Sequence, residues 1–322
     1  MEQNRRQTLN RPPIFGVLLA CALMAGVLAL AWLEHGSAFA RSLSQSRPVL
    51  TWLALDTGNG REAPDLFLAV YQPTRRTLEL VHWPGSRRMP GGGTLNGAYA
   101  ALRRNGADPA TAARHMAGAA SSALEALGLA GQDWKGLRLW RGEAPAAHAE
   151  PALAARQWIL RRTGARLWPA LLESRGSAAG SSWPWFDRML LALELQRLRP
   201  EAARPAELPP EDQVGPFMER LLNPGAARPA PQRPTVEVLN ASARPGAASR
   251  VKNILRSGGA DVMSVGNAVG ARTVVYDRTG DFANAAAVLR MLDCPAAQAM
   301  TQVDLKRLVD VTVVIGEDCS SP

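Results

Sequence analysis

Two carboxylates and two guanidiniums are the residues best placed by type and spacing to do chemistry. Asp56 and Asp65 each stand at the end of an apolar run, with Thr57-Gly58-Asn59-Gly60 turning the chain between them. Hard cations such as Mg2+ take oxygen ligands and are commonly held by one or two carboxylates plus substrate phosphates. The pair is therefore a candidate metal site; the competing reading is that each Asp caps its own turn. Arg87 and Arg88 follow a third apolar run. They could grip a pyrophosphate through bidentate hydrogen bonds, or stand on an exposed turn. Arg156, Arg161 and Arg162 fall on a helical stretch and read as its solvated face. Trp183-Pro184-Trp185 could expose two rings to sugar or lipid, although most tryptophans are expected in the core.

Several chemistries find no support. His35, His82, His115 and His148 show no metal spacing, and no Walker lysine loop, HExxH or GxSxG occurs. Cys21, Cys294 and Cys319 form no CxxC pair, and an odd count defines no disulfide framework. A Cys294–Cys319 bridge is not expected. Cys294 is placed near the start of the last strand and Cys319 beyond its end, further apart than the ~7 Å limit for bridged Cα atoms.

The elements that must position these residues can be read from periodicity. Residues 49–55, 66–71 and 77–83 read as strands, the last two as a hairpin around Pro73-Thr74-Arg75-Arg76. An Ala-rich helix is expected over 110–127, capped by Asp108 and opened by Pro109, with further helices near 151–162 and 186–198. Residues 200–234 are rich in Pro, Ala and Arg and read as a semi-extended linker, with one helical turn near Phe217 to Leu222. Beyond it come a strand at 235–239, a helix at 245–257 stopped by Gly258-Gly259, strands at 261–265 and 273–276, a helix at 282–292 and a strand at 310–315. That order, βαββαβ, gives one sheet covered by two helices.

The N-terminal segment sets the expected compartment. Residues 14–33 carry no charge and are long enough to span a bilayer core of ~30 Å as a helix. Arg5, Arg6 and Arg11 precede them, so residues 1–13 are expected in the cytoplasm and the bulk outside, as a single-pass protein of the cell membrane. The rival reading is a signal peptide cleaved after Ala40, and residues 41–48 read as a short polar stalk. The formal charge of +9 favours anionic surfaces such as lipid headgroups or envelope glycans. The expected organisation is an anchor at 14–33, an α/β domain at 48–199, a linker at 200–234 and a small α/β domain at 235–318.

Residues 235–318 resemble the LytR C-terminal domain family. The match is carried by Val236-Glu237-Val238-Leu239-Asn240, Pro245-Gly246-Ala247-Ala248, Gly266-Asn267-Ala268, Thr273-Val274-Val275-Tyr276, Gly280-Asp281 and the segment from Asp310 to Asp318. The resemblance implies a module outside the membrane with no known catalysis. Residues 49–127 resemble, through fewer residues, the opening of a LytR–CpsA–Psr domain. The carrying segments are Leu53-Ala54-Leu55-Asp56, Pro64-Asp65-Leu66, Gln72-Pro73-Thr74 and Leu95-Asn96-Gly97-Ala98-Tyr99. That likeness implies transfer of a glycopolymer from a polyprenyl-pyrophosphate lipid to the bacterial cell wall, with Mg2+ and arginines on the pyrophosphate.

This chain departs from the second pattern where the chemistry lies. The arginine of the family falls on Gly85 and its aspartate on Ser86, leaving Arg87 and Arg88 displaced. The later arginine cluster has no counterpart beyond an Arg156-Gln157 pair. The leading expectation is a non-catalytic or much-altered relative of these transferases, acting in binding or scaffolding. The alternative is an active Mg2+-dependent transferase in which Arg87 or Arg88 serves. No nucleic-acid partner is expected, because residues 1–13 are too short for a DNA-binding domain.

Overall fold

The computed structural model describes residues 14–56, 63–89, 92–126, 134–141, 150–162, 184–223 and 233–319. Helix α1 (Ile14–Gly36) leads through Ser37 into α2 (Ala38–Ser44). Among the described residues no single helix is long and apolar enough to cross a membrane; Cys21–Gly36 and Ala38–Ser44 pass that test together, as a pair bent by 82°. Of the residues expected to form a polar stalk, 41–44 continue α2 and Leu43 packs against the core, and the segment just before them is held as well. Ser37 caps α2 and donates to the Asp187 carboxylate, while Phe39 is buried against Tyr71. Burial of such a ring contributes about 1.5–3 kcal/mol.

Strands β1 (Val49–Asp56), β2 (Asp65–Gln72) and β3 (Thr77–Trp83) form an antiparallel meander that includes the expected hairpin, with Leu66 opposite Trp83 and Phe67 opposite His82. Helices α3 (Leu95–Arg104) and α4 (Pro109–Leu124) follow, the latter capped by Asp108 as its sequence requires. Strand β4 (Trp134–Arg141) pairs parallel to β1. Then come α5 (Pro151–Arg162) and α6 (Trp185–Gln196).

The expected linker is the largest difference from the sequence reading. Residues 203–207 (Ala203–Glu207) form β5, parallel to β3, and Glu211–Leu222 form helix α7. Ala203 and Ala206 are almost wholly buried, as are Val214, Phe217, Met218 and Leu222 on α7. The composition Ala-Arg-Pro-Ala-Glu has low strand propensity, and proline is unusual inside a sheet. Small side chains suit a strand covered on both faces, and burial overrides propensity here.

The last region holds β6 (Thr235–Asn240), α8 (Ala247–Ser257), β7 (Asp261–Asn267), β8 (Val274–Asp277), α9 (Phe282–Met291) and β10 (Val311–Ile315), the expected elements. A further strand, β9 (Gln298–Thr301), lies parallel to β8. All described strands join one sheet in the order β4-β1-β2-β3-β5-β9-β8-β10-β6-β7. The seam between its halves is thin: β5 and β9 share the single pair Ala206–Thr301.

The sheet has two faces. On one, α3, α4 and α7 cover Trp52, Leu66, Val81 and Trp83, and α8 and α9 cover Val236, Val238, Val275 and Val313. On the other, α2, α5 and α6 cover Phe67, Tyr71, Leu78 and Leu80. Helix α5 reaches across the seam, with Ala152 and Leu153 against Val274 and Met300.

Cys294 and Cys319 form a disulfide with Cα atoms 5.6 Å apart, contrary to the expectation. The cause is β9. It runs parallel to β8 and therefore antiparallel to β10, so Gln298 sits beside Val274, which pairs with Val314. Cys294, just before β9, is thereby returned to the end of β10 rather than its start.

Candidate functional site

The ends of β1, β3 and β5 and the start of β2 lie along one edge of the sheet, and they carry the candidate residues. Asp56 closes β1, and Leu55 pairs with Asp65 at the opening of β2. Side chains alternate between faces along a strand, and this alternation separates the candidates. Asp65 shares a face with Phe67 and His82. Its carboxylate lies 3.8 Å from Nε2 of His82, whose Nδ1 is 2.8 Å from Oε2 of Glu207. Arg87 lies on the opposite face, its guanidinium 5.6 Å from the centre of the Trp83 ring and donating to the Pro209 carbonyl at 2.9 Å. Burial lowers the Arg87 pKa, opposed by the charge of Glu211. Arg88 is exposed and bridges through its backbone to Thr94. The two aspartates adjoin in the backbone as expected; Asp65 and the arginines do not converge.

At Gly85, where the sequence resemblance places an arginine, an added Cβ would meet the side-chain amide of Asn96, which is exposed and would have to turn away; the Asn96 backbone N–H donates to the Gly85 carbonyl.

The partner of Asp65 is a histidine that metal spacing alone did not single out. Burial pulls the His82 imidazole down, but the carboxylates of Asp65 and Glu207 outweigh it and hold the pKa at about 9. A charged imidazolium competes with a cation for Asp65. Among the described residues no group of three His, Cys, Asp or Glu is placed to hold a metal ion. Of the two aspartates only Asp65 has a described side chain, and a Mg2+ there would need substrate phosphates and further oxygens to complete its shell. The signal for His82 was its polarity within an otherwise apolar strand; that for Glu207 was hidden in proline-rich sequence.

Beside this triad a cleft of about 620 Å3 opens along the seam. Its floor is the carboxyl ends of β3, β5, β9 and β8, represented by His82, Glu207, Gln302 and Arg278. Glu150, at the start of α5, accepts a hydrogen bond from the Tyr276 hydroxyl at 2.9 Å. Burial raises the Glu150 pKa, and the nearby charge of Glu207 adds to the rise. Arg278 stacks 4.7 Å over the Tyr276 ring and donates to Thr312 and Gln302. Arg156, expected on a solvated helix face, instead donates to the carbonyls of Ala203 and Pro200, holding the entry to β5. Trp183 lies outside the described residues, and of Trp185 only its place at the start of α6 is described.

Comparisons with known proteins place the last region in a family. The model of the LytR cell envelope-related transcriptional attenuator family matches residues 233–318. Among solved structures, the C-terminal domain of RV0431 is 34% identical, over 28% of this chain and 78% of that one, with a TM-score of 0.20. The soluble domain of a conserved hypothetical secreted protein from Mycobacterium marinum is 22% identical, over 28% of this chain and 63% of that one, less than two thirds of its length, with a TM-score of 0.23. The Lin1025 protein from Listeria innocua is 12% identical, over 55% of this chain and 99% of that one, with a TM-score of 0.34. No curated protein shows significant similarity to the chain. Through residues 233–318 the chain belongs to the LytR C-terminal family, and with it to the proteins associated with the cell envelope.

Proposed function

We propose that this is a membrane-anchored protein of the cell envelope that binds or scaffolds and does not transfer glycopolymers. The observation that carries the reading is the separation of the candidate residues. Asp65 is committed to His82 on one face of the sheet, and Arg87 is committed to Trp83 and Pro209 on the other. Clamping a pyrophosphate through a metal requires carboxylates and guanidiniums to converge on the same oxygens. Gly85 supplies no guanidinium at the position where the resemblance places one.

Anchoring rests on α1, in which Leu18, Leu23, Met24, Val27, Leu28 and Trp32 all lie exposed. The uncharged run at 14–33 would be about 30 Å long as a helix, and among the described residues the bent pair Cys21–Gly36 and Ala38–Ser44 is the candidate span. The apolar run is longer than the usual signal-peptide core of about 7–15 residues, which favours an uncleaved anchor. The Cys294–Cys319 disulfide fits an oxidising compartment outside the cytoplasm.

The test is calorimetric titration of the full chain in lipid nanodiscs with a polyprenyl pyrophosphate, with and without Mg2+. The expected result is no Mg2+-dependent binding. Tight, Mg2+-dependent binding that is lost in Asp56→Ala and Asp65→Ala would overturn the reading in favour of a surviving transferase site.

A further inference from the structure

The seam cleft has the architecture of a ligand site that the transferase resemblance does not reach. In open α/β sheets, ligands bind in crevices at the carboxyl ends of parallel strands, where neighbouring strands send their connections in different directions. Here β3, β5, β9 and β8 run parallel. Strand β5 leads into α7, whereas β9 leads through a 3-10 turn at Leu305–Arg307 toward β10. The single residue pair between β5 and β9 lets the sheet part beyond it, and the cleft opens there. Its volume of about 620 Å3 suits a small molecule.

The two walls differ in charge. The wall from the first region presents Glu150, Glu207 and Asp212 beside His82; the wall from the last region presents Arg278, Lys306 and Arg307 beside Asp304. Parts of each wall are already engaged: Arg307 with Glu237 and Asp304, and Glu207 Oε2 with His82. What remains is specific. Oε1 of Glu207 and Oε1 of Gln213 are buried acceptors without a donor among the described residues. Such atoms are costly to leave unpaired, so a donor entering the cleft would be favoured there. Opposite them Lys306 is exposed, with no hydrogen bond or ion pair among the described residues. A simple anion would meet the acidic wall and a simple cation the basic one.

We infer that the cleft binds a small zwitterion, such as a short peptide with free ends, its ammonium on Glu207 and Gln213 and its carboxylate on Lys306. This deepens the binding function proposed above and rests on it. The probe is the dipeptide alanyl-alanine, titrated calorimetrically into the full chain in nanodiscs. It is set beside two forms of nearly the same size, the C-terminal amide, which lacks the carboxylate, and the N-acetyl form, which lacks the ammonium. The free dipeptide is expected to bind saturably, and each blocked form about tenfold or more weakly, since each loses a charge-assisted contact. Lys306→Ala should weaken the free dipeptide to the level of the amide and leave the amide unchanged. Gln213→Ala should weaken the free dipeptide while sparing the N-acetyl form, with thermal melting of both variants confirming that they fold.

Equal binding of free and blocked forms, or no saturable binding up to about 10 mM, overturns the inference. The non-catalytic reading stands or falls separately, on the polyprenyl pyrophosphate titration.

Discussion

The two halves of the sheet solve the same burial problem differently. In the half from β9 to β7, the main apolar core lies on one face, under α8 and α9. Strand β6 accordingly alternates between buried and half-buried residues. In the half from β4 to β5, helices cover both faces, and every residue of β3 is buried. A one-sided sheet writes a period of two into its sequence, whereas a two-sided one asks only for residues that fit, which can be Val and Leu or Ala and Pro. The last region was legible for that reason, and β5 was not.

The comparison can be strained first through the disulfide. It closes a loop of 25 residues confined to the last region. Replacing both cysteines, as Cys294→Ala with Cys319→Ala, should cost that region about 3.5 kcal/mol on chain-entropy grounds. Hydrogen exchange should show the loss in α8, α9 and their strands, with β1 to β3 keeping their protection. Equal loss in both halves would mean that the thin seam transmits stability as a single cooperative unit.

The seam is the next point of attack. Arg204 pairs with Glu79 at 3.2 Å and lies 5.2 Å over the Phe282 ring, so it ties β3 to α9 across the sheet. Burial pushes the Glu79 carboxyl up to about 7 even with Arg204 beside it. Arg204→Ala should cost about 3 kcal/mol at alkaline pH, where Glu79 is left charged and unpaired. Denaturant titration at lower pH should show the cost shrinking, because without Arg204, which lowers it, the Glu79 carboxyl takes up its proton at a pH above about 7.

A pH series probes the triad on the other face. The His82 imidazole is raised from 6.5 to about 9. Its stabilising contribution is therefore complete below about pH 6.5 and fades as pH rises through about 9. Linkage puts the total at roughly 3 kcal/mol or slightly more. His82→Gln should flatten this part of the stability profile, and an unchanged alkaline slope in that variant would assign the slope to other groups.

The smallest effect is expected at Asp65. Its side chain is 46% exposed and its contact with His82 is long, at 3.8 Å. Asp65→Ala should cost under about 1 kcal/mol, and thermal melting of wild type and variant should respond alike to added Mg2+. A Mg2+-dependent rise in the wild-type melting temperature alone would restore the metal reading.

The candidate site was legible only in fragments. Asp65 and Arg87 were visible as polar residues at strand ends, but a strand end does not say which face its side chain takes relative to residues on another strand. Parity within β2 and β3, together with their register, put the two on opposite sides. His82 was set aside because its partners come from two other strands, one of them 125 positions away in sequence. The four-residue β9 is too short to show a period, and missing it misplaced Cys294.

The sequence by itself determined the apolar N-terminal helix, the β1–β3 meander, the capped α4 and nearly all of the LytR C-terminal module. These depend on local periodicity, caps and turns. Only the tertiary structure decided that a proline- and alanine-rich stretch becomes a central strand, that the two regions share one sheet, that Cys294 meets Cys319, and that acids from one region face cations from the other across a cleft. Each of these depends on contacts between residues far apart in the chain, and no local preference encodes such contacts. They follow from burial, which is settled only when both faces of the sheet have found their cover.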